Sequence, residues 1–278
     1  MSFTLSAADV KNLRDSTGAG MMDCKAALTE AEGDFEKAIE ILRKKGQKLS
    51  LKRADREAKE GAVIAKVNDS KTKGIVIKLS SETDFVSKNE DFIQTAKRIA
   101  DIALDAYPAS LEDLLAQTYE GNVKIGEKVT DMVAAIGEKI EVSNYEKLEA
   151  PQVESYIHMG NKAGVLVGLN KASDAFTDAG KDVAMQIAAM KPLALDKGDV
   201  DPSVIEKEIE IGKEQARAEG KPEAMLEKIA MGKLEKFYKE STLLHQQFVK
   251  DGSLTIAAYL KNFDKELTVS GFRHVKLG

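Results

Sequence analysis

The spacing of apolar residues changes along the chain. In the first part of the chain, apolar residues recur every three to four positions, as is typical of helices. This spacing predicts three short helices within residues 5–46. Ser6 and Asp9 match a capping box for the first helix, residues 22–31 form the second, and Asp34 caps the third. Gly46 is expected to end the third helix. We therefore predict a helical domain over residues 1–46, followed by a solvated, helical linker over residues 47–55.

The spacing then shortens to two residues, which is typical of strands. Residues 62–67 and 74–79 predict two strands, and the polar residues 68–73 between them predict a hairpin. Further elements are expected in the order of a helix at 91–106, helices at 111–117 and 128–137, and an extended segment at 140–148. Mixed periods of this kind indicate an α+β fold.

The hairpin pattern occurs a second time. Residues 155–159 and 163–169 predict another pair of strands, and a helix is expected over about 181–190. Residues 74–79 match residues 164–169, and the helices align one residue later, pairing Phe92 with Val183, Ala96 with Ile187, and Ile99 with Met190. The predicted core is two copies of a hairpin-plus-helix unit. A strand at 266–275 is expected to complete the second sheet.

A different pattern follows the helix at 181–190. Ile205, Ile209, Gly212 and Ala216 form a narrow apolar seam, and a second helix follows over residues 223–239. The break at residues 219–222 predicts an antiparallel helical hairpin, 203–239, that projects from the core. Such an arm is an interaction element, a dimerisation arm or a solvated excursion.

One turn stands out as a candidate binding tip, in the stretch SSETDFVSKN at residues 80–89. Ser87 and Glu90 match a capping box, so the next helix is expected to start near Ser87. Asp84, Phe85 and Val86 then lie in the turn before it. Phe85 fits neither the strand nor the helix pattern, so it is either an exposed partner-binding tip or a side chain packed on the helix start. The second copy has Ala175 at the matching position with Phe176 next to it, which leaves both interpretations open.

Composition excludes several classes of function. A net charge of −5 argues against a protein that coats nucleic acid. The single cysteine, Cys24, rules out an internal disulfide and fits a reducing cytoplasm. We see no signal peptide, and no apolar run nears the ~20 residues that span a bilayer.

Motifs for chemistry are also missing from the sequence. Residues 17–25 have glycines like those of a phosphate-binding loop but lack both nucleotide fingerprints. His158, His245 and His274 lie too far apart for a metal-binding spacing, and we expect no cofactor or metal. The residues favour a binding protein over an enzyme.

Three motifs together resemble the bacterial elongation factor Ts family: LRDSTGAGMMDCK at 13–25, AIEILR at 38–43 and TDFV at 83–86. The resemblance continues at residues 164–167, in the hairpin after Pro202, and in QFVKD at 247–251. It implies a cytoplasmic guanine-nucleotide exchange factor that binds elongation factor Tu, with no direct contact to nucleic acid or membrane. A homodimer, or a complex with two copies of each protein, is compatible with it.

The resemblance also implies roles for individual residues. Thr83, Asp84, Phe85 and Val86 match the loop that intrudes beside the magnesium site of Tu, and His158 matches a second contact. The first 46 residues resemble a ubiquitin-associated-type domain that docks on Tu, with contacts expected from Arg14, Thr17, Gly18, Met21 and Met22. The resemblance also implies two core subdomains, 56–149 and 150–202 with 240–278, that correspond to the two copies. The chain departs from some relatives in two ways: it lacks their C-terminal helical segment, and its spacing after His158 is different. The alternative is a ubiquitin-associated-type scaffold that dimerises through its helical hairpin without exchange activity.

Overall fold

The computed structural model of the protein describes residues 5–278, so the first four residues of the predicted 1–46 domain lie outside it. The described chain folds into helices and two main antiparallel sheets, which confirms the α+β class. Its first half contains α1 (Ala7–Thr17), α2 (Met21–Glu30), α3 (Phe35–Lys52), β1 (Glu60–Val67), β2 (Lys73–Ser81), α4 (Asp84–Ser87), α5 (Glu90–Ala106), α6 (Leu111–Leu115), β3 (Thr118–Glu120), β4 (Val123–Lys124), α7 (Ile125–Ile136) and β5 (Ile140–Glu149). Its second half contains β6 (Gln152–Ile157), β7 (Ala163–Leu169), α8 (Thr177–Met190), α9 (Pro202–Ala218), α10 (Glu223–Ser241), β8 (Gln247–Phe248), β9 (Asp251–Thr255), α11 (Ile256–Lys261) and β10 (Val269–Lys276).

The three N-terminal helices, α1–α3, pack around a small core of their own. Leu13, Cys24, Leu28 and Ala38 are fully or almost fully buried in it. The capping box at Ser6 is confirmed: its hydroxyl accepts from the Asp9 N–H at 3.1 Å, and the Asp9 carboxylate accepts from the Ser6 N–H at 3.1 Å. The division of the chain into domains stays a prediction.

The predicted helix end at Gly46 is wrong, because α3 continues for another six residues to Lys52. Gly46 lies where α3 crosses α7. A Cβ atom there would come within 2.9 Å of the Ala134 Cβ and 3.0 Å of the Thr130 carbonyl oxygen. The glycine therefore lets two helices approach closely. The first part of the predicted linker, residues 47–52, belongs to α3.

Both predicted β-hairpins are present. β1 pairs antiparallel with β2, and β6 pairs antiparallel with β7. A third antiparallel strand then joins each pair, giving the strand orders β1-β2-β5 and β10-β7-β6. The prediction that the last strand completes the second sheet is therefore confirmed.

One helix covers the outer face of each sheet. Phe92, Ala96 and Ile99 of α5 are buried against the first sheet. Val183 and Ile187 of α8 are buried against the second. The third predicted match is wrong, because Met190 is the last residue of α8 and is 46% exposed.

The inner faces of the two sheets pack against each other around Val63, Val76, Val153 and Leu166, among others. Glycines at matching positions of the two copies make this contact close. A Cβ atom at Gly74 would come within 2.9 Å of Leu166, and one at Gly164 within 2.9 Å of Val63. Each unit thus presents its glycine to the other.

The helical hairpin forms as predicted from α9 and α10. Asp201 caps α9 by accepting from the Ser203 N–H at 2.8 Å, and Gly220 adopts φ +73° at the break between the helices. The seam is closed within the pair, since a Cβ atom at Gly212 would lie 3.2 Å from the Ala230 Cβ. At its base, the Leu193 N–H donates to the Ser241 carbonyl oxygen at 2.8 Å.

Deleting residues 203–239, with a short glycine–serine bridge in their place, is expected to leave the core folded. The apolar seam of α9 packs against α10, so deleting the two helices together removes little packing from either sheet. Thermal unfolding should remain a single cooperative transition, shifted by less than about 4 °C, which is roughly 1 kcal/mol for a protein of this size. A molten or insoluble product would show that the arm is part of the core.

Cys24 is expected to react slowly with a thiol reagent in the native protein. Its side chain is fully buried, and its Sγ lies 3.6 Å from the Ala19 carbonyl oxygen. Burial raises the pKa of the Cys24 thiol, which lowers the share of reactive thiolate. We expect labelling at least about 100-fold slower than in guanidinium, where the thiol is free. Equal rates in the two states would contradict a buried structural role.

Candidate partner-binding site

The turn after β2 forms a short helix, α4, instead of the open turn expected from the sequence. The predicted capping box at Ser87 and Glu90 is wrong. The Ser87 hydroxyl donates to the Asp84 carbonyl oxygen at 3.2 Å, while the Asn89 side chain caps α5 by accepting from the Asp91 N–H at 2.8 Å. Because α4 uses residues 84–87, the next helix can start only after Asn89.

Phe85 projects from α4 into solvent, with 86% of its surface exposed. The interpretation that it packs back on the helix start is therefore wrong. Val86, the next residue, is half-buried and packs on the core of the first unit. The same turn of the second unit is a 3₁₀ turn, Asp174–Phe176, in which Phe176 is only 8% exposed. Phe176 thus takes the inward position of Val86, and Ala175 takes the outward position of Phe85.

Asp84 lies beside Phe85 on the same exposed turn. The Lys88 ammonium donates to its carboxylate at 2.6 Å. This hydrogen bond holds the pKa of the Asp84 carboxyl below its ordinary value, so the group is charged at neutral pH. The tip therefore combines an apolar ring with a carboxylate, a pair suited to a partner with both apolar and polar contacts.

Two carboxylates fix the start of the turn, where the chain leaves β2. Glu138, between α7 and β5, accepts from the Thr83 N–H at 3.1 Å and from the Thr83 hydroxyl at 2.8 Å. Glu82 accepts from the Lys139 N–H at 2.6 Å and from Arg53 at 2.7 Å. No local sequence pattern predicts this role for Glu82 and Glu138, because their partners are 29 to 57 residues away.

His158 occupies the exposed turn between β6 and β7. The Tyr156 hydroxyl lies 3.3 Å from its Nδ1 atom, and Met159 beside it is 84% exposed. The Leu277 N–H donates to the Lys162 carbonyl oxygen of this turn at 2.9 Å, and the Gly278 N–H donates to the Lys59 carbonyl oxygen at 3.1 Å.

Those two bonds locate His158 relative to Phe85. Lys59 immediately precedes β1, whose first residue, Glu60, pairs with Ser81 at the end of β2. The 83–86 turn follows directly after Ser81. The His158 turn and the 83–86 turn therefore lie at the same end of the two packed sheets.

The predicted contacts of the N-terminal helices lie around the junction of α1 and α2. Arg14 is exposed, as are Met21 (59%) and Met22 (74%). The Thr17 hydroxyl donates to the Leu13 carbonyl oxygen at 2.6 Å, and Gly18 ends α1 with φ +69°. Apolar side chains of this size in solvent are typical of a contact surface.

Two grooves connect the N-terminal contacts with the tip. One, of about 650 Å³, is lined by Arg14, Met21 and Met22, among others. The other, of about 850 Å³, is lined by Thr17, Gly18, Phe85 and Val86, with residues of α5 and α7. Asp15 lines both, so the two grooves are neighbours on the surface. His158 lines neither groove.

In residues 5–278, no three His, Cys, Asp or Glu side chains are grouped so that they could hold a metal ion. Within the same range, no helix is both long and apolar enough to cross a membrane.

Known proteins resemble this chain over nearly its whole length. A sequence model described as "Elongation factor TS" matches residues 82–278. The elongation factor Ts of Christiangramia forsetii is 54% identical over 274 residues, which covers 99% of both chains. The proteins of the same name from Flavobacterium psychrophilum and Cytophaga hutchinsonii are 50% and 52% identical over 275 residues, again with 99% of each chain covered.

Proposed function

This chain belongs to the elongation factor Ts family of translation elongation factors, and we propose that it is the guanine-nucleotide exchange factor of elongation factor Tu. The observation that carries the proposal is Phe85. A phenylalanine that is 86% exposed on a turn held by hydrogen bonds is a poor choice for stability and a good one for insertion into a partner.

The proposed mechanism is thermodynamic linkage. A factor that binds nucleotide-free Tu more tightly than Tu·GDP must weaken GDP binding by the same ratio. It changes the rate of exchange but leaves the final ratio of GDP to GTP on Tu unchanged. The factor therefore needs no catalytic group or cofactor of its own, and we propose that it is not an enzyme.

Each part of the surface has a role in this proposal. Phe85 inserts into the G domain of Tu and displaces elements that hold Mg²⁺ and phosphate, while Asp84 competes for polar partners there. His158 makes a second contact from the same end of the sheets. The exposed methionines of the N-terminal helices dock these helices on the G domain. A protein with this role acts in the cytoplasm.

The alternative, a scaffold that dimerises through α9 and α10, gains no support from the packing of the hairpin. Gly212, in the middle of the predicted seam, is already covered by Ala230 of the same chain. Dimerisation would need a second surface, or would have to open the hairpin.

The test is the release of a fluorescent GDP analogue from purified Tu, chased with excess unlabelled GDP. Adding the protein at micromolar concentration is expected to accelerate release by at least about tenfold. Coupling of about 1–3 kcal/mol weakens GDP binding about 5- to 150-fold, and most of such a change in affinity falls in the dissociation rate. Bovine serum albumin at equal concentration is the control. An unchanged release rate at saturating protein would overturn the proposal.

A further inference from the structure

We infer that Glu138 and Glu82 are positioning residues that hold the 83–86 turn in place and tie it to the end of α3. The inference rests on the proposed function, because the turn is the part of the surface that enters Tu. Neither carboxylate is placed in contact with Tu. Both act through the position of Phe85.

The two carboxylates form a reciprocal clamp between two short segments. Glu138 accepts two hydrogen bonds from Thr83, and the neighbouring Lys139 N–H donates back to Glu82 at 2.6 Å. Residues 82–83 and 138–139 thus exchange three hydrogen bonds, two of them from backbone N–H groups. Such bonds to charged acceptors are stronger than neutral ones and fix the direction in which the chain leaves β2.

The Glu82 carboxylate is well shielded, since only 15% of its side chain is exposed. Burial alone would raise its pKa, but the bonds from the Lys139 N–H, Arg53 and Arg56 bring the pKa below its ordinary value. The group is therefore a charged acceptor at neutral pH. Its three donors lie at 2.6 Å, 2.7 Å and 3.1 Å.

Arg53 extends the clamp to the N-terminal helices. It caps the C-terminal end of α3, directly after Lys52, and α3 packs against α2 and along α7. Through Arg53 and Glu82, the turn bearing Phe85 is connected to the helices bearing Met21 and Met22. Two surfaces that would contact Tu together are thus held at a fixed separation, so less conformational entropy is lost on binding.

A clamp is needed here because α4 has only four residues. A single helical turn is not stable by itself in water. Phe85 faces solvent, so its own burial does not hold the turn in place. Loosening the turn should therefore cost exchange activity well before it costs stability, because small misplacements of an acting group reduce rates steeply.

The experiment compares Glu138→Gln with the wild-type protein in GDP release from Tu. Glutamine keeps the shape of the side chain but removes its charge. The Thr83 N–H then donates to a neutral amide oxygen, and the Thr83 hydroxyl must turn to accept from the NH₂ group, so both bonds are weakened. We expect the maximal rate at saturating protein to fall about tenfold, with the half-saturating concentration changing less than about threefold. Glu141→Gln is the matched control. Its carboxylate lies 3.4 Å from the Lys139 ammonium instead of bonding the turn, and it should behave as wild type.

A double-mutant cycle separates positioning from a general structural effect. If Glu138 acts through Phe85, Glu138→Gln should lower the maximal rate about tenfold in the wild type but less than about twofold in the Phe85→Ala background. An equal fold-change in both backgrounds, or wild-type kinetics for Glu138→Gln, would overturn the inference. If the wild-type protein itself fails to accelerate release, it is the proposed function that fails.

Arg53→Gln is the second variant, for use if Glu138→Gln does not fold. It removes the bond from α3 but leaves Lys139 and Arg56 on Glu82. We expect a fall of about threefold in maximal rate, again absent in the Phe85→Ala background. Wild-type kinetics for Arg53→Gln would show that the link to α3 does not position the turn.

Discussion

Phe85→Ala is expected to lower the maximal rate of GDP release from elongation factor Tu by about 30-fold, with little change in the stability of the factor itself. A side chain at the centre of an interface commonly contributes 2 kcal/mol or more, which corresponds to about this factor in rate. The ring is 86% exposed in the free protein, so its removal should change the free energy of unfolding by less than about 0.5 kcal/mol. Stopped-flow release at saturating factor and a thermal melt measure the two quantities. Asp84→Ala should also slow release without lowering the melting temperature.

Phe176→Ala is the matched control, since it removes the same ring from the equivalent turn of the second unit. Phe176 is 8% exposed and belongs to the second core, so its truncation should cost about 3–5 kcal/mol of stability. Below its melting temperature, this variant should still accelerate GDP release. The reverse result, with Phe85→Ala unstable but fully active, would make Phe85 a core residue.

Gly61→Ala is expected to lower the stability of the protein by at least about 3 kcal/mol. Gly61 lies in β1 with φ +151°, opposite Ser80. A Cβ atom there would come within 2.2 Å of the Leu79 carbonyl oxygen, a backbone atom that cannot rotate away. The strands would have to separate directly below the turn that carries Phe85. Chemical denaturation measures the loss.

Gly232→Ala provides the opposite case for the same substitution. Gly232 lies within α10. Apart from its chain neighbours and the adjacent backbone of its own helix, no atom of the described chain comes within 4 Å of a Cβ placed on it. Alanine there should raise stability by about 0.5–1 kcal/mol, because glycine is a poor helix former. If Gly61→Ala were as stable as Gly232→Ala, the close approach at Leu79 would not constrain the strand pair.

Periodicity in the sequence was enough to predict the main elements of the fold. Both hairpins and the last strand lie within a few residues of their predicted positions, because alternation and turn residues are local signals. The role of Gly46 was misinterpreted because the residues that require a glycine there lie in α7, more than 80 residues further along the chain. The ribbon of β3 and β4 was missed, since its strands have three and two residues and too few positions to alternate.

The site was predictable only in part, for a related reason. Phe85 stood out because it fits neither the strand nor the helix period, yet the amino-acid sequence could not decide between a buried and an exposed ring. The decision came from Val86, which takes the inward position and leaves Phe85 outside. Glu82 and Glu138 look like ordinary surface carboxylates in the sequence, and only the folded chain brings them to Thr83 and Arg53.

The most direct test of the proposed mechanism compares the affinity of this protein for nucleotide-free Tu and for Tu·GDP. Isothermal titration calorimetry with wild-type protein and each form of Tu gives the two dissociation constants. Linkage predicts that nucleotide-free Tu binds at least about tenfold more tightly, and that the protein weakens GDP binding by the same ratio. Equal affinity for the two forms would mean that binding cannot displace GDP, and would contradict the exchange mechanism.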